Sequence, residues 1–188
     1  MDAVLNSFLL IFASEMGDKT QLLALVLMAR FKKPWTILLG ILIATLLNHA
    51  LAASAGDRIA DALSPNVLAW ILAVTFFAFG IWILFPDRSE DIGFSKRFGA
   101  FSTTLVTFFI AEIGDKTQLA TLALAAHYSS IGLVTMGSTL GMLASNGMAI
   151  ALSEKLMKKI SMTWIRRISC ALFILFGLAI LYRQSFLH

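Results

Sequence analysis

Six long runs of apolar residues dominate the chain, at roughly 3–29, 35–56, 66–85, 98–126, 130–153 and 163–182, and each reaches the length of about 20 residues that a helix needs to cross a bilayer. Short polar stretches separate them: "RFKKP", "DRIADALSP", "PDRSEDIGFSKR", "HYSS" and "EKLMKKISMT". Pro34, Pro65 and Pro86, the three prolines, stand at run boundaries, where a missing N–H does least damage to a helix. The pattern predicts an all-α integral membrane protein of six transmembrane helices with no water-soluble domain left to place. Composition agrees, since at 59% hydrophobic and 14% charged residues the chain has too little polar surface to face water all round.

Lys and Arg are divided unevenly between the two sides that the runs define. One side holds Arg30, Lys32, Lys33, Arg88, Lys96, Arg97, Lys155, Lys158 and Lys159, with Arg166 and Arg167 close by; the other holds Arg58 and Arg183. Positive residues stay in the cytoplasm, so the first loop is expected there and both termini outside. The net charge of +4 thus reflects topology and gives no reason to expect a nucleic-acid partner. The start, "MDAVLNSFLLIF", lacks the basic region and small-residue cleavage site of a secretory signal and reads as a retained helix. Trp35, Trp82 and Trp164 fall at run ends as interfacial anchors. A lone cysteine, Cys170, lies in an apolar run; it rules out an intrachain disulfide and reads as packing.

Charge within the first run needs a reason. "SEMGDKTQ", from Ser14, puts Glu15, Asp18 and Lys19 near mid-membrane, where one such residue costs roughly 2.5–3.5 kcal/mol even on lenient insertion scales. The stretch recurs as "AEIGDKTQ" from Ala111, with an offset of 97 between Glu15 and Glu112. Without a gap the same offset pairs Gly40 with Gly137, Ala44 with Gly141, Asn48 with Ser145, Ala52 with Ala149, Gly80 with Gly177 and Phe85 with Tyr182. The chain is a duplicated three-helix unit: repeat one at 1–86, a cytoplasmic connection at 87–97 and repeat two at 98–188. Three crossings are odd, so the second repeat is expected inverted, the usual architecture of secondary transporters with a midplane site on broken helices. Gly17 and Gly114 are where a break is cheapest.

On a continuous helix Glu15, Asp18 and Gln21 share one face. Supplied twice, that face offers Glu15, Asp18, Glu112 and Asp115 to a common centre, flanked by Gln21 and Gln118 and the hydroxyls of Thr20 and Thr117. Such an all-oxygen set suits Ca²⁺, Mg²⁺ or Mn²⁺. The competing reading pairs Glu15 with Lys19 and Glu112 with Lys116 at i and i+4, which leaves Asp18 and Asp115 without partners and matches one divalent cation or two protons. The second and fifth runs carry small residues at every fourth position, Gly40, Ala44, Asn48, Ala52, Gly56 and Gly137, Gly141, Ser145, Ala149, Ser153, which allow close helix contact. Asn48, Ser145 and Asn146 are polar at membrane depth and are candidates for further ligands. His49 reads as a hydrogen-bonded buried histidine with a proton relay as the alternative, and His127 as interfacial.

The doubled E-x-G-D-[KR]-[ST] motif, with Lys19, Thr20, Lys116 and Thr117 in its last two places, resembles the cation transporter family of the eukaryotic Golgi calcium/manganese–proton exchangers and the bacterial MneA-type manganese exporters. The resemblance covers essentially the whole chain. It implies that Glu15, Asp18, Glu112 and Asp115 bind the transported cation and that bacterial members export Mn²⁺, while eukaryotic ones move Ca²⁺ and Mn²⁺ against protons. The expectation is therefore a secondary transporter of a bacterial inner membrane, not an enzyme and without a cofactor, that exports Mn²⁺ in exchange for protons by alternating access. A Ca²⁺/H⁺ exchanger, a passive divalent-cation channel and a non-transporting scaffold are the alternatives.

Overall fold

The computed structural model describes residues 1–85, 99–157 and 161–186, and these form eight helices with no strand among them. They are α1 (Asp2–Glu15), α2 (Lys19–Phe31), α3 (Pro34–Ala62), α4 (Pro65–Ile83), α5 (Ala100–Glu112), α6 (Lys116–Tyr128), α7 (Ile131–Met157) and α8 (Met162–Phe186). Four of them, at 34–62, 65–83, 131–152 and 163–185, are long and apolar enough to cross a membrane. The first and fourth apolar runs are each two short helices, α1–α2 and α5–α6, broken at the glycines where a break is cheapest. At 14, 13, 13 and 13 residues, none of these spans a core of about 30 Å by itself. α3 also runs further than expected, absorbing most of "DRIADALSP", and α7 takes in the start of "EKLMKKISMT". The connection at 87–97 lies outside the described residues.

Local chemistry sets the ends. Pro34 and Pro65 open α3 and α4 at the first helical position, where the fixed φ of proline is an advantage. α2 and α6 close on Lys32 and Ser129, both left-handed with φ 52° and 47°, whose amides donate to Met28 O and Ala125 O. The breaks are glycine breaks: Gly17 and Gly114 sit at φ 77° and 75°, a conformation that costs a residue with a Cβ roughly 1–2 kcal/mol. Nothing lies within 4 Å of a Cβ placed on Gly114, so backbone shape and not crowding calls for glycine there. Each break takes a backbone amide out of the helical ladder, and that amide needs a partner. A motif glutamine takes it: Gly17 N donates to Gln21 Oε1 at 2.8 Å, and Gly114 N to Gln118 Oε1 at 2.7 Å.

Long helices α3 and α7 organise the rest. α3 packs on α5, α6 and α7, and α7 on α1, α2 and α3. The small-residue rows do the packing that their spacing predicts. A Cβ on Gly40 would stand 2.8 Å from Thr104 Cβ of α5, and one on Gly56 2.1 Å from the Leu122 carbonyl oxygen of α6. On α7, Gly137 and Gly141 meet the Val4 and Phe8 carbonyls of α1 at 2.4 and 2.6 Å by the same measure. Two apolar cores result. The larger joins α1, α4, α6 and α8 with Ala53 of α3 and Val134 and Met142 of α7; the smaller joins Ala24 and Leu27 of α2, Ile37, Ile41 and Ala44 of α3 and Phe108 of α5.

These contacts make Gly141 intolerant of size. Gly141→Leu is expected to lower the thermal unfolding temperature of the purified protein, by overpacking worth about 1–3 kcal/mol, and to impair transport. Gly132→Ala, on the same helix with nothing within 4 Å of the new Cβ, should be neutral in both assays.

Candidate cation site at two helix breaks

Glu15 is the last residue of α1 and Asp18 the residue that caps α2; Glu112 and Asp115 hold the same places at the ends of α5 and α6. The shared helical face expected for Glu15, Asp18 and Gln21 therefore does not exist. The break brings the carboxylates together instead. Glu15, Glu112 and Asp115 each offer an oxygen, and these atoms all lie within 4.8 Å of one another. All three residues are buried, the two glutamates completely.

The ion pairs are crossed. Lys116 Nζ stands 3.2 Å from Asp18 Oδ1, and Lys19 Nζ 3.4 Å from Asp115 Oδ1, so each motif's lysine serves the other motif's aspartate. This corrects the i, i+4 pairing of Glu15 with Lys19 and Glu112 with Lys116. That rule assumes an unbroken helix, and here the helix ends at the glutamate. The aspartates expected to lack partners have them. The glutamates are held by hydroxyls: Thr20 Oγ1 donates to Glu15 Oε2 at 2.5 Å and Thr117 Oγ1 to Glu112 Oε2 at 2.9 Å. Their Oε1 atoms accept no hydrogen bond among the described residues.

Around this centre the flanking candidates divide. Gln21 and Gln118 spend their oxygens on the break amides. Through its amide nitrogen, Gln21 donates to Ser145 Oγ and Ser145 O at 2.7 and 3.0 Å, and Gln118 donates to Asn48 Oδ1 at 3.3 Å. Asn48 in turn donates to Phe109 O at 3.1 Å. Thr20 and Thr117 orient the glutamates. Asn146 donates to Met142 O of its own helix at 3.1 Å, and its buried Oδ1 carries no hydrogen bond among the described residues. His49 is buried with Nδ1 2.9 Å from Ser138 Oγ. Ser138 had no motif to mark it. Thr45 and Met142 touch at 3.1 Å, and the 97-residue offset alone pairs them.

Buried carboxylates thus converge at two helix breaks, with oxygen donors and no thiolate or imidazole cluster among the described residues, a donor set that suits a hard cation. Comparison with known proteins names the class more closely. The chain belongs to the divalent cation/proton antiporter GDT1 family, whose model matches residues 3–91 and 100–187. It is 42% identical over 180 residues to a protein of Vibrio cholerae named "Putative manganese exporter", covering 95% of this chain and 90% of that one. It is 28% identical over 205 residues to GDT1-like protein 3 of Oryza sativa subsp. indica, with 95% and 73% covered, and 27% identical over 206 residues to GDT1-like protein 3 of Arabidopsis thaliana, with 95% and 70% covered. No solved structure matches the chain. It is thus an integral membrane transporter and not an enzyme.

The crossed pairs predict specific couplings. In a double-mutant cycle on thermal stability, Asp18→Asn with Lys116→Gln should show a coupling within about 0.5–3 kcal/mol, because either single change takes the crossed ion-pair partner from a buried charge. Glu112→Gln with Lys116→Gln should show a smaller one. The reverse order would restore the i, i+4 pairing.

Proposed function

We propose that this protein exports a divalent cation, Mn²⁺, from the cytoplasm in exchange for protons, by presenting one carboxylate site alternately to the two sides of the membrane. The observation that carries the reading is the meeting of Glu15, Glu112 and Asp115, from both motifs, within 4.8 Å at two glycine breaks. Asp18, on its crossed pair with Lys116, completes the acidic set. Charge counting supports exchange: four carboxylates against two lysines leave a net charge of −2. A buried site at membrane depth is costly unless compensated, and one divalent ion or two protons compensate this one equally. The all-oxygen donors suit a hard cation, and the relative named as a manganese exporter favours Mn²⁺ over Ca²⁺.

Alternation has its support in the duplication. The helix breaks, the left-handed caps at Lys32 and Ser129 and the helix starts at Pro34 and Ile131 all recur at the 97-residue offset. Repeat-mates Thr45 and Met142 touch each other, as residues do on an approximate two-fold axis between inverted repeats. On this reading α1–α2 and α5–α6 each cross the membrane once as two half-helices, giving six crossings. On the same reading, the Lys and Arg asymmetry favours a cytoplasmic side for the end of α2 and the start of α5. Both termini then face outward.

Reconstituted flux tests the proposal. In proteoliposomes, Mn²⁺ uptake is expected to saturate and to be driven by an imposed pH gradient. Glu15→Gln and Glu112→Gln should each reduce it at least about tenfold, the lower end of what losing even a supporting partner costs a metal site. Non-saturating flux indifferent to the pH gradient would indicate a channel, and Ca²⁺ flux without Mn²⁺ flux the calcium exchanger.

A further inference from the structure

The two repeats are alike in sequence but not equally packed. On α6, Ala120, Thr121, Ala123, Leu124, Ala125 and Ala126 are all buried; at the matching positions of α2 only Ala24 and Leu27 are. Ala123 is 1% exposed where its mate Val26 is 50% exposed. α4 packs on α6, and α8 packs on α1, so both peripheral helices reinforce the half of the bundle that contains α1 and α6. Alanines let this happen. "LATLALAAHY" offers little bulk, and α3 approaches until the place of a Cβ on Gly56 lies against the Leu122 carbonyl and the Ala126 amide; "LLALVLMARF" in α2 carries larger side chains. The lysines follow the same asymmetry, with the Lys116 side chain 6% exposed and that of Lys19 21%.

At the far end of α6 the packed half carries a polar tie. Asn6 Nδ2 of α1 donates to Tyr128 Oη at 2.5 Å. The rings of His127 and Tyr128 lie 5.4 and 6.2 Å from that of Phe176 of α8. At the 97-residue offset the mates of Asn6, His127, Tyr128 and Phe176 are Thr103, Arg30, Phe31 and Phe79. Phe31 has no hydroxyl, so this bond cannot form at the end of α2; Arg30 lies over the Phe31 ring at 5.1 Å instead. The asymmetry is thus written into the chain and is not only a matter of packing.

We infer that Asn6, Tyr128 and Phe176 form the outer gate of the transporter, closed in this structure, with the half containing α2 and α5 the one that opens toward the cytoplasm. The inference rests on the alternating-access reading above. Asn6 and Tyr128 are positioning residues: they touch no cation and act by holding α6 against α1. Releasing the tie favours the opposite state, in which the outer half loosens and α2 closes on α7.

Cysteine accessibility tests this on the full-length protein with Cys170→Ser. Ala126→Cys reports the outer half and Leu23→Cys the cytoplasmic half, each labelled with a membrane-impermeant thiol reagent from its own side. Tyr128→Phe is expected to raise labelling of Ala126→Cys about fivefold, as loss of one hydrogen bond allows, and to lower labelling of Leu23→Cys. Asn6→Ala should do the same from the other partner, and serves if Tyr128→Phe does not fold. A rise at both reporters would mean general loosening and would overturn the gate, as would no change at either. Mn²⁺ flux measured on the same preparations separates the two claims: normal flux with unchanged labelling refutes the gate and leaves the transport reading intact, whereas absent flux in folded protein without Tyr128 or Asn6 changes refutes that reading.

Discussion

Buried charge is the constraint on which the structure turns: six charged groups meet at the two motifs. On the proposed reading they lie in the membrane interior, where a lone carboxylate or ammonium group costs roughly 2.5–3.5 kcal/mol even on lenient scales. Lys19 and Lys116 answer two of the four carboxylates, each across to the other repeat. The crossing ties the halves of the chain together at the point where the charges are most expensive. It also leaves each glutamate, steadied by a threonine hydroxyl, with a second oxygen that accepts no hydrogen bond among the described residues.

Everything near the site serves that arrangement. A continuous helix would carry Glu15 and Asp18 past the centre as part of a stripe; a glycine break with left-handed backbone ends one helix on the glutamate and begins the next from the aspartate. The break's own polar cost is met within the motif, since Gln21 and Gln118 bind the freed amides and anchor on Ser145 and Asn48. Those anchors stand in the small-residue rows of α7 and α3. Close approach of the long helices and satisfaction of the motif glutamines are therefore one structural fact.

Much of this is legible in the sequence. Apolar run length gives the four helices long enough to cross a membrane, and the glycines of the motif give the breaks. What was not legible follows from the break itself. Helical pairing rules put Lys19 beside Glu15, because they assume the helix continues, and no local rule can name a partner 96 residues away such as Asp115. The roles of aspartate and glutamate are exchanged for that reason. The unequal packing of α2 and α6 had a visible trace in the alanines of "LATLALAAHY", but repeats invite attention to what they share, and the signal lay in where they differ. His49, read as a hydrogen-bonded buried histidine, is that, on a serine that no pattern marked.

The central claim is that two motifs build one site. Mn²⁺ titration of the purified full-length protein, followed by the electron paramagnetic resonance of the free ion, measures it directly. One ion per chain is expected, lost when either Glu15 or Glu112 is replaced by glutamine. Two ions per chain, with one retained after either replacement, would mean that each motif holds its own cation and would contradict the shared site.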